Sequence, residues 1–145
     1  MIVNTAYIYM GSGGGTPVNP NLWQDGVSNY PVEFTNSSIS STGLELTKNG
    51  ASATFSELQL TGFNSLTTSL KPGTILFGSS SIKIEFLNTA GQVLGAETVK
   101  YKGDGTALEP KTVNIPSSAK IQNAKIRITN TSSYSSITLT SAVLS

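Results

Sequence analysis

Few residues in this 145-residue chain could do acid–base or nucleophilic chemistry, and two of the usual ones are missing altogether. There is no histidine and no cysteine. A Ser-His-Asp or Cys-His arrangement is therefore excluded, because the chain holds neither an imidazole base nor a thiolate. A Ser-Lys pair stays formally open, but with so many serines and lysines chance proximity is the stronger reading. What remains is carboxylate chemistry, from Asp25, Glu33, Glu45, Glu57, Glu85, Glu97, Asp104 and Glu109. Cleaving a glycosidic bond needs two acids facing each other across a cleft, about 5–10 Å apart. Most of these acids alternate with apolar neighbours, as solvent-facing strand positions do, and that reading is the stronger one. No catalytic residue is assigned.

The usual zinc and copper ligands are absent. Calcium needs only carboxylates and carbonyls, so a structural calcium ion stays open. The Asp-Gly pairs at Asp25 and Asp104 lack the repeated acidic spacing of a calcium loop and read better as turns. No cofactor is expected. "GSGGGT" lacks the lysine of a phosphate cradle and runs into "TPVNP", which cannot open a helix, so it reads as a flexible joint.

Aromatic side chains remain. An exposed indole or phenol can stack on the apolar side of a sugar ring while polar neighbours bond its hydroxyls. Tyr101 and Tyr134 adjoin expected loops and are the better candidates. Tyr30 and Trp23 are further ones. Trp23, the single tryptophan, reads more naturally as a plug in the core, because tryptophan is usually well buried. Phe34, Phe55, Phe63, Phe77 and Phe86 read as core.

Such residues must be positioned by strands. Helical periodicity is not sustained anywhere, whereas period-two alternation recurs: Leu44/Leu46 around Glu45, Ile82/Ile84/Phe86 around Lys83 and Glu85, and Ile126/Ile128 around Arg127. Asn49-Gly50 in "KNGA" predicts a tight turn. "NTAGQ" predicts a hairpin between Ile82–Leu87 and Val93–Lys102. "KPG", "KGDGT" and "IPSS" supply further breaks. Short strands at regular spacing predict an all-β, two-sheet antiparallel sandwich. The closing segment predicts two core strands with Ile126, Ile128, Ile137, Leu139 and Val143 inward. A polar loop over 130–136 would then carry Tyr134 near its tip.

Two units are expected, an N-terminal strand and Gly/Pro-rich joint over 1–21 and a sandwich over 22–145. The strand's apolar residues Ile2, Val3, Tyr7, Ile8 and Tyr9 form a candidate assembly arm, since an unpaired edge is a template for a neighbouring chain; the alternative is an edge strand of the same sandwich reached by a long loop. The opening has no basic residue before its apolar stretch, so no secretory signal is expected, and no apolar run approaches the ~20 residues of a membrane span. Charged residues make up 12% of the chain and the net charge is +1, against a usual charged share of about 25%. No basic stripe is evident along the sequence, so no nucleic-acid partner is expected.

The stretches "LTGFNSLTTSL", "IKIEFLNTAGQVLG", "KTVNIPSSAKIQNAKIRI" and "SSITLTSAVL" together resemble the galactose-binding-like jelly rolls. That β-sandwich is shared by many carbohydrate-binding modules and by domains of bacteriophage virion proteins. The opening "MIVNTAYIYMGSGGG" is similar to the starts of small structural proteins of tailed phages. The resemblance implies a non-enzymatic virion component, a capsid decoration, head fibre or tail fibre part. It would be located in the virion after assembly in the host cytoplasm. It would be homo-oligomeric, partnered by other virion proteins and in contact with host-surface carbohydrate. The alternatives are a free-standing carbohydrate-binding module and, behind it, a small glycosidase. No ligand residue transfers from the family by position.

Overall fold

Alternating apolar and hydroxyl-bearing residues, with no helical stripe to compete, leave the chain one way to bury its apolar side: as strands in stacked sheets. The computed structural model describes residues 3–6, 19–24, 27–40, 43–72, 79–102, 110–132 and 136–145. Among these the strands are β1 (Val3–Ala6), β2 (Asn21–Gln24), β3 (Val27–Ser28), β4 (Val32–Thr35), β5 (Ser37–Ser40), β6 (Gly43–Leu46), β7 (Ser52–Leu58), β8 (Ser65–Pro72), β9 (Ser79–Leu87), β10 (Val93–Lys102), β11 (Lys111–Asn114), β12 (Ala124–Asn130) and β13 (Ile137–Leu144). One turn of 3-10 helix, Ser117–Ala119, follows Pro116.

All pairings are antiparallel and form two sheets. The first runs β1-β4-β7-β12-β9-β10, and the second runs β11-β8-β13-β2-β3 with β6 and β5 joined to it through β13. β13 shares one edge between two partners. Ile137–Leu139 pairs with β6 and Ser141–Val143 with β2. The inner faces meet in a core that includes Trp23, Phe34, Phe55, Phe86, Ile84, Ile126, Ile128, Leu66 and Leu139. The two-sheet sandwich is as expected from the sequence. Phe63 is half-buried against this core, and Phe77 lies outside the described residues.

Both expected turns form. At "KNGA" the Ala51 amide donates to Lys48 O at 2.9 Å, and Gly50 takes φ +88°. The turn joins β6 to β7, which belong to different sheets, so it carries the chain across the sandwich instead of closing a hairpin. At "NTAGQ" the Asn88 amide donates to Gln92 O at 3.0 Å, and the Gln92 amide donates to Asn88 Oδ1 at 2.9 Å. That loop closes the β9–β10 hairpin.

Two expectations need correction. Val143 is half-buried and faces outward, while Ala142 and Leu144 are buried. The register between β13 and β8 shifts between Leu139 and Ser141. One extra residue in a strand reverses which later side chains face the core. The N-terminal strand is not a free arm either. Val3–Ala6 pairs with Thr35–Val32 as the edge strand of the chain's own sheet, which is the edge-strand alternative. Ile2, Tyr7, Ile8 and Tyr9 lie outside the described residues.

Candidate functional site

The registers bring a particular set of strand ends together. β12 ends at Asn130 opposite Ile82, β10 ends at Lys102 opposite Ser79, β8 ends at Pro72 opposite Ile137, and β6 ends at Leu46 opposite the same Ile137. The connections that leave β6, β8, β10 and β12 therefore all leave at one end of the sandwich. Tyr101 lies there by register, opposite Ser80. The loop that carries Tyr134 starts and finishes at this end too, between Asn130 and Ile137.

A hydrogen-bonded base holds this end. Asn130 occupies the inward position that Ile126 and Ile128 hold earlier in β12, and it is fully buried. Its Nδ2 donates to Leu46 O at 3.0 Å, and its Oδ1 accepts the Ser132 amide at 2.8 Å. Its carbonyl accepts the Gly50 amide at 2.8 Å, and its amide donates to Ala51 O at 2.8 Å. Asn49 Nδ2 reaches Ser132 O at 3.3 Å. On the other side the Thr131 amide donates to Ser81 O at 3.0 Å, and the Ser81 amide donates to Ser132 Oγ at 2.8 Å. The Asn130 side chain thus ties the start of the Tyr134 loop to β6, the Asn130 backbone and the Asn49 side chain tie it to the Asn49-Gly50 turn, and Ser81 ties it to β9. A loop on so fixed a base suits ligand binding, because scaffold rigidity lowers the entropy lost on association.

No family model matches the sequence, and no curated protein does. Solved structures that share the architecture include the following three. A family 6 carbohydrate-binding module is 18% identical, with TM-score 0.51, over 90% of this chain and 98% of that one. A family 43 arabinoxylan arabinofuranohydrolase from Bacillus subtilis, in complex with cellotetraose, is 14% identical with TM-score 0.52 over 97% of this chain. Xylanase10C from Cellvibrio japonicus, in complex with xylopentaose, is 10% identical with TM-score 0.52 over 98% of this chain. This chain shares the fold of a carbohydrate-binding module. It spans 30% and 28% of the two enzyme chains, so the likeness there is to one part of each enzyme.

Of the aromatic candidates, the structure removes one. Trp23 is fully buried, and its Nε1 has no acceptor among the described residues. An indole inside the core cannot stack on a sugar, so Trp23 is a packing residue. Tyr30 is half-buried and its hydroxyl donates to Asn19 O at 2.7 Å, which commits it to anchoring the approach to β2. For Tyr101 only the backbone is described, and Tyr134 lies outside the described residues, as do Asp25 and Asp104. Among the described residues no group of three or more metal-ligating side chains gathers, and no helix is long and apolar enough to cross a membrane.

The charged feature that sequence inspection missed is Glu85. It stands on the outer face of β9, yet it is only 6% exposed. Register places it opposite Arg127 of β12, whose Nε donates to Glu85 Oε1 at 2.9 Å, and Lys83 Nζ lies 3.7 Å from Oε2. The Arg127 hydrogen bond holds the Glu85 carboxyl below its ordinary range. Burial pushes the other way, and the charges of Arg127 and Lys83 add to the lowering. A carboxylate so held stays ionised and is unsuited to donating a proton at neutral pH.

The same shift has a consequence for stability. A lowered folded pKa stabilises the native state above the unfolded carboxylate value of about 4.3, and that contribution is lost as pH falls through the lowered value. The urea midpoint of the wild type should therefore drop more steeply from pH 7 to pH 3 than that of Glu85→Gln. Parallel curves for the two proteins would count against this account.

Proposed function

We propose that this chain is a non-catalytic carbohydrate-binding domain, with its glycan site at the sandwich end that carries Tyr101 and the loop between Asn130 and Ile137. The observation that supports it best is coverage: the likeness to a carbohydrate-binding module extends over 90% of this chain and 98% of the module. Sandwiches of one fold host many activities, so the site must carry the rest. Here the polar base around Asn130 holds the start of the loop to which Tyr134 belongs by sequence position, and Tyr101 stands near the end of β10 that lies at the same end of the sandwich. The absence of histidine and cysteine, together with the ion-paired state of Glu85, favours binding over catalysis. The virion reading rests on the sequence resemblance alone, whereas glycan binding has the likeness to a carbohydrate-binding module beside it.

The test is a glycan array followed by titration calorimetry on the leading hit. The wild type should bind saturably, and Tyr101→Ala and Tyr134→Ala should each weaken binding by about tenfold, the worth of one stacked ring. A blank array with natively folded protein overturns the proposal.

A further inference from the structure

The outer face of β12, β9 and β10 carries an uneven charge pattern that the sequence order hides. Cross-strand partners in an antiparallel sheet share a face. Lys125 stands opposite Leu87, Arg127 opposite Glu85, and Thr129 opposite Lys83. Across the next strand Ala96 stands opposite Glu85, Thr98 opposite Lys83, and Lys100 opposite Ser81. Among the residues whose side chains are described, four cations, Lys83, Lys100, Lys125 and Arg127, therefore share one face of three adjacent strands. Glu85 is the one carboxylate that joins them. The other acid on these strands, Glu97, stands opposite Ile84, whose side chain is in the core, and so belongs to the inner register. Farther along the same face Glu33 stands opposite Thr54, itself opposite Arg127; on β12, β9 and β10 the cations outnumber the carboxylates of this face among the described residues.

Glu85 organises the cluster. Nearly buried between Arg127 and Lys83, it holds both cationic heads in place before any ligand arrives, which lowers the entropy a ligand must overcome. Its contact with Arg127 runs through Nε, and among the described residues the terminal amino groups of the guanidinium show no hydrogen bond to another acceptor. A planar guanidinium presents such donors in the geometry of a carboxylate. Arg127 and Lys83 remain accessible, with 39% and 45% of their side chains exposed. Between the cations lie hydroxyls from Ser81, Thr98 and Thr129, suited to sugar hydroxyls. Cations interleaved with hydroxyls match a chain that carries one carboxylate per sugar ring. They do not match the denser charge of nucleic acid, and the described residues of this face include no aromatic ring on which bases could stack.

We propose that this face binds an acidic polysaccharide, a polymer of uronate sugars, through Arg127, Lys83, Lys100 and Lys125. For the ligand class the inference rests on the glycan-binding reading; for the sign of the ligand's charge it rests on the arrangement above. The experiment is titration of the full chain with polygalacturonate, with neutral xylan, and with single-stranded DNA, each at low and at physiological salt. The double variant Lys100→Gln/Lys125→Gln leaves the Glu85 ion pairs intact, and its thermal unfolding verifies the fold. Polygalacturonate should bind in a salt-weakened manner, and the double variant should bind it at least about tenfold more weakly. Binding to neutral xylan alone overturns this inference and leaves the glycan-binding reading standing. Polygalacturonate affinity that the double variant does not change, or DNA binding of equal strength, also overturns it. Failure to bind polygalacturonate overturns this inference, whereas the glycan-binding reading falls only if the glycan array is blank as well.

Discussion

Asn130→Ala should lower the unfolding free energy by about 2–4 kcal/mol, because it removes two buried hydrogen bonds and strands both partners. The partners are the Leu46 carbonyl, in a residue with no exposure, and the Ser132 amide, in a residue 2% exposed. Neither gains water in exchange, so each carries its full desolvation penalty. Asn130→Asp should be no better: it keeps an acceptor for Ser132 but loses the donor to Leu46 and buries a charge. Urea denaturation measures the loss, and amide exchange localises it to Gly50, Ser81 and Ser132. The loss should also appear in function. If the sandwich end binds glycan, affinity should fall in Asn130→Ala even at temperatures where the protein is fully folded, since the loop loses its fixed base. A stability change within about 0.5 kcal/mol, the range of ordinary surface substitutions, would show that the clamp is not what holds this end.

Gly43→Ala should be as severe, by about 3 kcal/mol or more, from overpacking and backbone strain together. A Cβ at Gly43 would lie 2.5 Å from Leu139 O and 2.8 Å from Thr138 Cγ2, and the residue has φ +151°. Here β6 runs against β13, and the obstructing atom is backbone, which cannot rotate away. Gly50→Ala is the matched control. Gly50 also has positive φ, +88°, but nothing lies within 4 Å of its Cβ position. Its loss should be the conformational part alone, about 1 kcal/mol. Equal midpoints for the two variants in thermal unfolding would refute the steric account.

Much of the sandwich was legible in the chain. Ile126-Arg127-Ile128 and Ile82-Lys83-Ile84 show their buried faces by alternation, and Asn49-Gly50 and Ala90-Gly91 announce their turns, because both signals are local. Bulges are not local. The one that follows Leu139 leaves no mark in "ITLTSAVL", and it is why Val143 faces out while Leu144 faces in. Glu57 holds φ +60° where the β7–β12 register shifts, and nothing about a glutamate suggests that conformation. The burial of Trp23 agreed with the bulk of its side chain; that its Nε1 meets no acceptor among the described residues depended on which neighbours surround it.

The features that matter most for binding were decided between strands. Asn130 sits in "RITNTSSY", a stretch that by composition alone could be any polar loop. It is a core residue because the β12 alternation carries it inward and because Leu46, 84 positions away, offers a carbonyl there. Glu85 and Arg127 each occupy an ordinary outward strand position, 42 residues apart. Only the choice of β12 as the neighbour of β9 makes them a pair, and only the choice of β10 on the other side adds Lys100 to the same face. By itself the sequence determined that the chain would be β, where its turns would fall and most of the residues that would face inward. These follow from side-chain periodicity and the backbone preferences of a few residues. Tertiary structure decided which strands became neighbours and in what register. That choice set which charges share a face, because the nearest neighbours of a strand residue are across the sheet and not along the chain.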